Sequence, residues 1–294
     1  MPLYLKFYFW LLVISAAVFL LERLAAARRE QEVVRDDLVQ DLIWMVFNTQ
    51  YLSWMLALGS VWLVGWLDTT LLHLGLPTPQ SARLLSDWPL WLQAVTVLVV
   101  KDFVEWNVHR ALHLHPWLWR FHALHHSSVN LDWAATFRSH WGEIVLHKLV
   151  AYLPMVVLGV DDRVIFAVVV FSLVVQELSH ANLPWDFGPL RYIVSSPRFH
   201  AWHHDVELHG RGGQNFGINL VFWDWIFGTA YFPKDRAAPA AFGFAGQQEY
   251  PSGLWARLWE PFRSRRSVPK AETAGAVSSA GFQASDRPDD RPPR

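Results

Sequence analysis

The chain contains no cysteine among its 294 residues. Disulfides, thiolate metal sites, iron–sulfur clusters and thiol catalysis are therefore excluded. Any bound metal must be held by His, Asp, Glu, Asn or Gln. Charge is also scarce: Asp, Glu, Lys and Arg make up 17% of the chain, with a formal net charge of -1. Soluble domains carry roughly a quarter. With no basic surplus there is no reason to expect nucleic acid as a partner. Internal repeats of the solenoid kind are absent too. What the chain has in quantity is apolar sequence (52% hydrophobic, including 18 Trp) and 14 His, most of them between residues 109 and 209.

Five apolar stretches stand out. The first, "FYFWLLVISAAVFLL" at 7–21, lies between Lys6 and Glu22 and runs into the charged "LERLAAARRE". No small-x-small cleavage site precedes a polar region, so a retained membrane helix is expected rather than a signal peptide. The second, 42–67, is long enough to cross about 30 Å of hydrocarbon at about 1.5 Å per residue. Trp66 near its end fits an interfacial aromatic. The third begins at Trp88 and runs into Lys101 and Asp102. The fourth and fifth, 143–160 and 164–180, are joined by "DDR" at 161–163 and read as a hairpin. These last three are interrupted runs, and buried helices of a soluble protein are the competing reading. Low charge and clustered Trp favour the membrane.

Lys and Arg in the loops set orientation. Arg23, Arg28, Arg29 and Arg35 follow the first stretch, and Arg110, Arg120 and Arg138 follow the third. The intervening loop has only Arg83, and the sequence beyond the fifth stretch is rich in Arg. Odd-numbered loops and the C-terminus are therefore expected on the cytoplasmic side of an inner, cell or endoplasmic-reticulum-type membrane. The expected fold is all-α: a polytopic bundle of about four to five transmembrane helices with a cytosolic, histidine-rich helical cap. Its expected parts are an N-terminal membrane helix and charged linker (1–40), the main membrane domain (41–235) and a polar, disordered C-terminal tail (236–294). The tail's Pro-, Ser- and Ala-rich composition from about residue 263 cannot bury a core and predicts disorder.

The histidines cluster. "VHRALH" holds His109 and His113, "FHALHHSS" holds His122, His125 and His126, and "SPRFHAWHHD" holds His200, His203 and His204. H-x-x-x-H puts two imidazoles one helical turn apart on one face, and H-x-x-H-H fans three rings across adjacent positions. Neutral imidazole suits Fe, Zn and Cu. One metal needs three or four such ligands, so eight suffice for two metals, and His180 near the same face makes a ninth. A single histidine is more often an ordinary polar residue, which is the reading for His73, His147, His115 and His209. Two triplets and a pair at one membrane face are a functional signal. Asp102 and Glu105, upstream of His109, could accept a second ring N–H. Asn130, Arg138, His140, Glu143, Asp205, Asn215 and Asp224 are further polar candidates near the site.

"DFVEWNVHRALH", "WRFHALHHSS", "SPRFHAWHHD" and "NFGINLVFWDWIFGT", together spanning roughly residues 90–232, resemble the motifs of the fatty acid hydroxylase/sterol desaturase superfamily. The resemblance implies an integral-membrane, histidine-rich di-iron enzyme. Such enzymes use O2 and two electrons to hydroxylate or desaturate a lipid: sterol, fatty acyl, alkylglycerol or sphingoid chain. It implies that the eight histidines of the motifs are catalytic and, with His180, hold two Fe ions, which Zn can replace on isolation. Gln176 stands where some relatives have a further histidine, and Glu177 with His180 makes an E-x-x-H, for which a supporting role at most is expected. No electron-carrying domain is fused to the chain, so a separate donor resembling cytochrome b5, a ferredoxin or a reductase is expected. A zinc-dependent membrane lipid hydrolase is the alternative.

Overall fold

The computed structural model describes residues 3–78 and 84–263. Its elements are helical; among the described residues the β pairing amounts to two isolated bridges, Val194 with Leu220 and Asp205 with Phe242. Helix α1 (Leu3–Ala25) packs on α7 (Asp162–His180), with Ile14 and Val18 buried against Ala181 and Leu183. Helix α2 (Leu38–Val46) passes through a π-helical turn (Phe47–Leu52) into α3 (Ser53–His73). A π turn displaces one residue from the regular helix face. Asn48, in that turn, is buried and donates to the carbonyls of Phe137 and Ser139 at 3.2 and 2.9 Å.

Helix α4 (Leu90–Leu114) is central. It packs on α5 (Pro116–His126), α6 (Trp141–Leu158) and α7, with Val97 against Val164 and Val168. The break between α4 and α5 follows from Pro116, which ends one helix and starts the next with its missing N–H unneeded. His115 before it is extended, at φ -99° and ψ 117°, as the proline ring requires. Two short helices complete the cap: α8 (Pro197–His203), capped by Ser196 Oγ accepting from Phe199 N at 3.2 Å, and α9 (Phe222–Phe227).

Among the described residues three helices are long and apolar enough to cross a membrane: Leu5–Ala25, Leu38–His73 and Asp162–His180. α4 and α6 form where the third and fourth apolar stretches lie, but α4 buries Lys101, Asp102 and Glu105 in its second half and is not uniformly apolar. No residue of α3 is buried against protein, and Val61, Trp62 and Trp66 are 74%, 71% and 56% exposed. An apolar surface of that extent is the lipid face of an integral-membrane bundle.

The C-terminal expectation needs correction between 236 and 263. This stretch packs back on the cap: Gln247 donates to Ser127 O at 2.9 Å, and Arg257, in α10 (Leu254–Trp259), pairs with Asp37 at 3.1 Å. Composition over the whole tail masked a local run, "LWARLW", whose Arg257 is buried. The expected disorder beyond 263 lies outside the described residues. A buried ion network ties these parts together. Arg35 bridges Asp41 (2.5 Å) and Asp132 (2.6 Å), and Arg138 bridges Asp41 (2.6 Å) and Asp37 (2.8 Å).

Candidate metal centre

The nine histidines singled out in the sequence converge, and they sort into two groups. His109, His113, His122, His126 and His203 form one; His125, His180, His200 and His204 form the other. In each group one ring nitrogen per residue lies within 4.8 Å of every other, and all nine residues are buried. Four helices supply them: α4 gives His109 and His113, α5 gives the first triplet, α7 gives His180, and α8 with its C-cap gives the second.

Each H-x-x-H-H is divided between the groups. His122 and His126 go to the first and His125 to the second; His200 and His204 go to the second and His203 to the first. Helix geometry explains the division. Residues i and i+4 are about 40° apart around the axis, while i+3 lies about 60° to the other side of i. An i/i+4 pair serves one centre and i+3 reaches the other.

The ring tautomers are fixed from behind. Nδ1 of His109 donates to Phe216 O (2.8 Å), of His125 to Arg138 O (3.1 Å), of His180 to Gln176 O (2.8 Å) and of His203 to Gln214 O (2.8 Å). A carbonyl only accepts, so these Nδ1 atoms carry the proton and Nε2 is a bare lone pair. His122 differs: its Nδ1 donates to a carboxylate, Glu143 Oε1, at 3.0 Å. The Nε2 atoms face one another. His109 and His122 Nε2 are 3.1 Å apart, and His125 and His180 Nε2 are 3.2 Å apart. His200 Nε2 lies 3.0 Å from His180 Nε2 and 3.2 Å from His204 Nε2, and His126 Nε2 lies 3.1 Å from His203 Nε2. Converging lone pairs at this spacing repel unless a cation sits between them, so the donor set fits metal.

Burial, reinforced by neighbouring imidazoles, holds His122, His125, His126, His200 and His204 well below the ordinary histidine range. Burial also brings His203 down to about 4, against the opposing pull of the Gln214 carbonyl. Neutral imidazole is the ligating form.

The remaining polar candidates have other tasks. Glu105 does not hold His109; it pairs with Lys101 at 2.6 Å, and His109 uses the Phe216 carbonyl instead. Asp102 Oδ1 accepts from Asn219 N and Leu220 N at 3.1 Å, and Asp224 accepts from Phe216 N, Gly217 N and Trp106 Nε1 at 2.9, 2.7 and 3.1 Å. Together they clamp the 215–229 turn that presents Phe216 O. Asn215, at φ 56°, ties that turn to Phe199 O and Tyr231 O. His140 is engaged at both nitrogens, by Leu258 O and Gly142 N, and lies outside both groups. Glu177 also lies outside them and accepts from Ser15 Oγ of α1 at 2.9 Å. Gln176 contributes its carbonyl to His180. His209 pairs with Asp205 at 2.7 Å and stacks on Tyr231. Sequence reasoning placed Glu143 among the polar neighbours; its partnership with His122, 21 residues away, has no sequence signal.

A cavity of about 120 Å³ touches both groups, at His109 and His122 on one side and His125, His180 and His200 on the other.

Known proteins agree with this geometry. Residues 94–229 match the fatty acid hydroxylase family model. Over 177 residues, 60% of the chain, the sequence is 36% identical to ornithine lipid hydroxylase OlsE of Rhizobium tropici. It is 29% identical over 182 residues to alkylglycerol monooxygenase of Danio rerio, and 23% identical over 182 residues to methylsterol monooxygenase 1-3 of Arabidopsis thaliana, each again 60% of the chain. The chain covers 52%, 39% and 59% of those proteins' lengths. No solved structure matches it. All nine converging histidines fall inside the stretch 94–229 that matches the fatty acid hydroxylase family model.

Proposed function

We propose that this chain is an O2-dependent lipid oxygenase that hydroxylates or desaturates a membrane lipid. The observation that carries the reading is the pair of adjacent, buried imidazole groups with their Nε2 lone pairs turned inward. His109, His113, His122, His126 and His203 would hold one iron, and His125, His180, His200 and His204 the other. Bound there, the irons would supply the O2 reduction that attack on an unactivated C–H bond requires.

The chain's own part is positional. Carbonyls of Phe216, Arg138, Gln176 and Gln214 lock the rings, Glu143 locks His122, and burial keeps the imidazoles neutral and water out. In hydroxylation one oxygen atom enters the C–H bond and the other leaves as water, with two electrons from a separate donor protein and two protons from solvent. The relatives' names put ornithine lipids, alkylglycerols and methylsterols among the candidate substrates. Loop charges support a cytoplasmic position for the metal-bearing cap.

A zinc hydrolase is the weaker reading. Such a site uses three protein ligands and tetrahedral geometry, whereas nine donors converge here. Metal analysis and O2 uptake test the proposal: two irons per chain, and oxygen consumed with lipid and a reductant, are expected. One zinc per chain with hydrolytic products would overturn it.

A further inference from the structure

Helix α10 and the single turn that follows it (Glu260–Phe262) are inside out for a water-facing element. Their charged residues Arg257 and Glu260 are buried, while Trp255, Trp259 and Phe262 are 72%, 61% and 51% exposed. The three aromatics stand at i, i+4 and i+7, the spacing of one helical face. Turned to water, so much apolar surface gains nothing; turned to lipid, it does.

The inward charges fix this orientation. Arg257 donates to Asp37 Oδ1 and to Gln40 Oε1, each at 3.1 Å, and Gln40 Nε2 donates to Ser252 O at 2.8 Å. Asp37 and Gln40 lie at the start of the spanning stretch Leu38–His73, so α10 is tied to one end of a membrane helix. On its other side Phe262 stacks on Trp141, the first residue of α6, with ring centroids 6.0 Å apart. Both supporting helices continue outward in exposed apolar side chains, Val39 and Ile43 on α2 and Leu149 and Val150 on α6. The aromatic face is therefore continuous with the lipid face of the bundle. Its composition also fits a bilayer better than a protein partner. Trp is the residue of the membrane–water interface, with its ring among acyl chains and its N–H among head groups. Arg263 is exposed at the edge of the face, and Arg265 and Arg266 follow in the sequence, which suits anionic head groups.

We propose that residues 254–263 form an interfacial anchor. α10 lies in the plane of the bilayer surface that adjoins the cap, with Trp255, Trp259 and Phe262 buried at the boundary of head groups and acyl chains of an anionic leaflet. Because the same helix holds Asp37 through Arg257 and His140 through Leu258 O, the anchor sets the height of the cap over the membrane. The anchor is independent of the reaction proposed above and needs no metal.

The absence of cysteine makes the test direct. Trp255→Cys and Trp259→Cys, each leaving the other two aromatics in place, carry a nitroxide label in the full chain. Glu207→Cys, on the exposed cap, is the reference. The proteins are placed in nanodiscs of phosphatidylcholine and phosphatidylglycerol, and the collision of each label with O2 and with a water-soluble nickel chelate is measured by electron paramagnetic resonance. The ratio of O2 to nickel collisions is expected to be about threefold or more higher at 255 and 259 than at 207, as burial in the interface requires. In phosphatidylcholine alone that ratio should fall, and an unchanged value would overturn the assignment to anionic lipid. A ratio equal to that at 207 would put the face in water and overturn the anchor. Labels shielded from both reagents would put protein over the face, a second copy or another partner, and overturn it as well.

Discussion

At the residue scale, what matters is which nitrogen of each imidazole carries the proton. Backbone carbonyls settle this for His109, His125, His180 and His203, and Glu143 for His122. Removing one ring therefore removes one inward lone pair without disturbing the fold around the others. His125→Ala and His203→Ala, which deplete different groups, are each expected to abolish lipid oxidation while membrane insertion is unchanged. Product formation by either variant would reject its role as a ligand. A second prediction concerns acid. In the metal-stripped protein the folded-state pKa of His203 is about 4, below the unfolded value of about 6.5. The unfolded chain therefore takes up more protons on acidification. The associated stability is full above about pH 6.5 and is lost as pH falls from there toward about 4. The melting temperature of metal-free protein should drop across that window, and a flat profile would contradict the burial argument. The histidines were legible as a set from their spacing. Their division into five and four was not, since it depends on how α5 and α8 face each other.

At the scale of elements, the signature "NFGINLVFWDWIFGT" is a scaffold for one carbonyl. Asp224 gathers three N–H groups of that turn and of α4, and Asp102 fixes the following residues. Gly217 sits where a Cβ would lie 2.7 Å from Leu220 O and 2.9 Å from Asp224 Oδ2. Gly217→Ala is expected to cost about 1–3 kcal/mol through overpacking, with metal content falling as Phe216 O moves off His109; unchanged melting and metal content would refute this. The ion network makes a parallel case. Arg138 holds His125 through its carbonyl and is itself gripped by Asp37 and Asp41. Arg138→Ala leaves Asp41 buried with one of its two cations gone, a loss of about 3–5 kcal/mol, readable as a lower denaturation midpoint in detergent. The sequence marks Arg138 as a polar candidate without showing what it pairs with. The actual partners lie about a hundred residues upstream, a distance that local pattern does not span.

At the scale of the whole molecule, the fold is a lipid-facing bundle beneath a polar cap. The bundle packs α1 on α7 and surrounds α4, while α3, none of whose residues is fully buried, turns exposed apolar side chains to the bilayer. The cap is closed by the segment after residue 236, through Gln247 on Ser127, Arg257 on Asp37 and His140 on Leu258 O. Deleting residues 247–294 should therefore lower thermal stability without preventing insertion, since the three spanning helices remain; equal stability would show the contacts to be passive. Because the chain lacks cysteine, Glu207→Cys on the exposed cap gives a single reporter. It should react with a membrane-impermeant maleimide from the cytoplasmic side alone.

The sequence by itself determined the class of molecule and the donor type at its centre. Low charge and long apolar runs point to a membrane bundle, absence of thiols leaves imidazole as the main donor, and helical spacing makes the histidines present shared faces. These are local properties, set by composition and by 3.6 residues per turn. Tertiary structure decided the rest: which imidazole joins which group, which carbonyls fix His109, His125, His180 and His203, and that Glu143 backs His122. Each of these is a contact between elements far apart in the chain. Such contacts depend on how helices pack, which residue spacing along one helix does not encode.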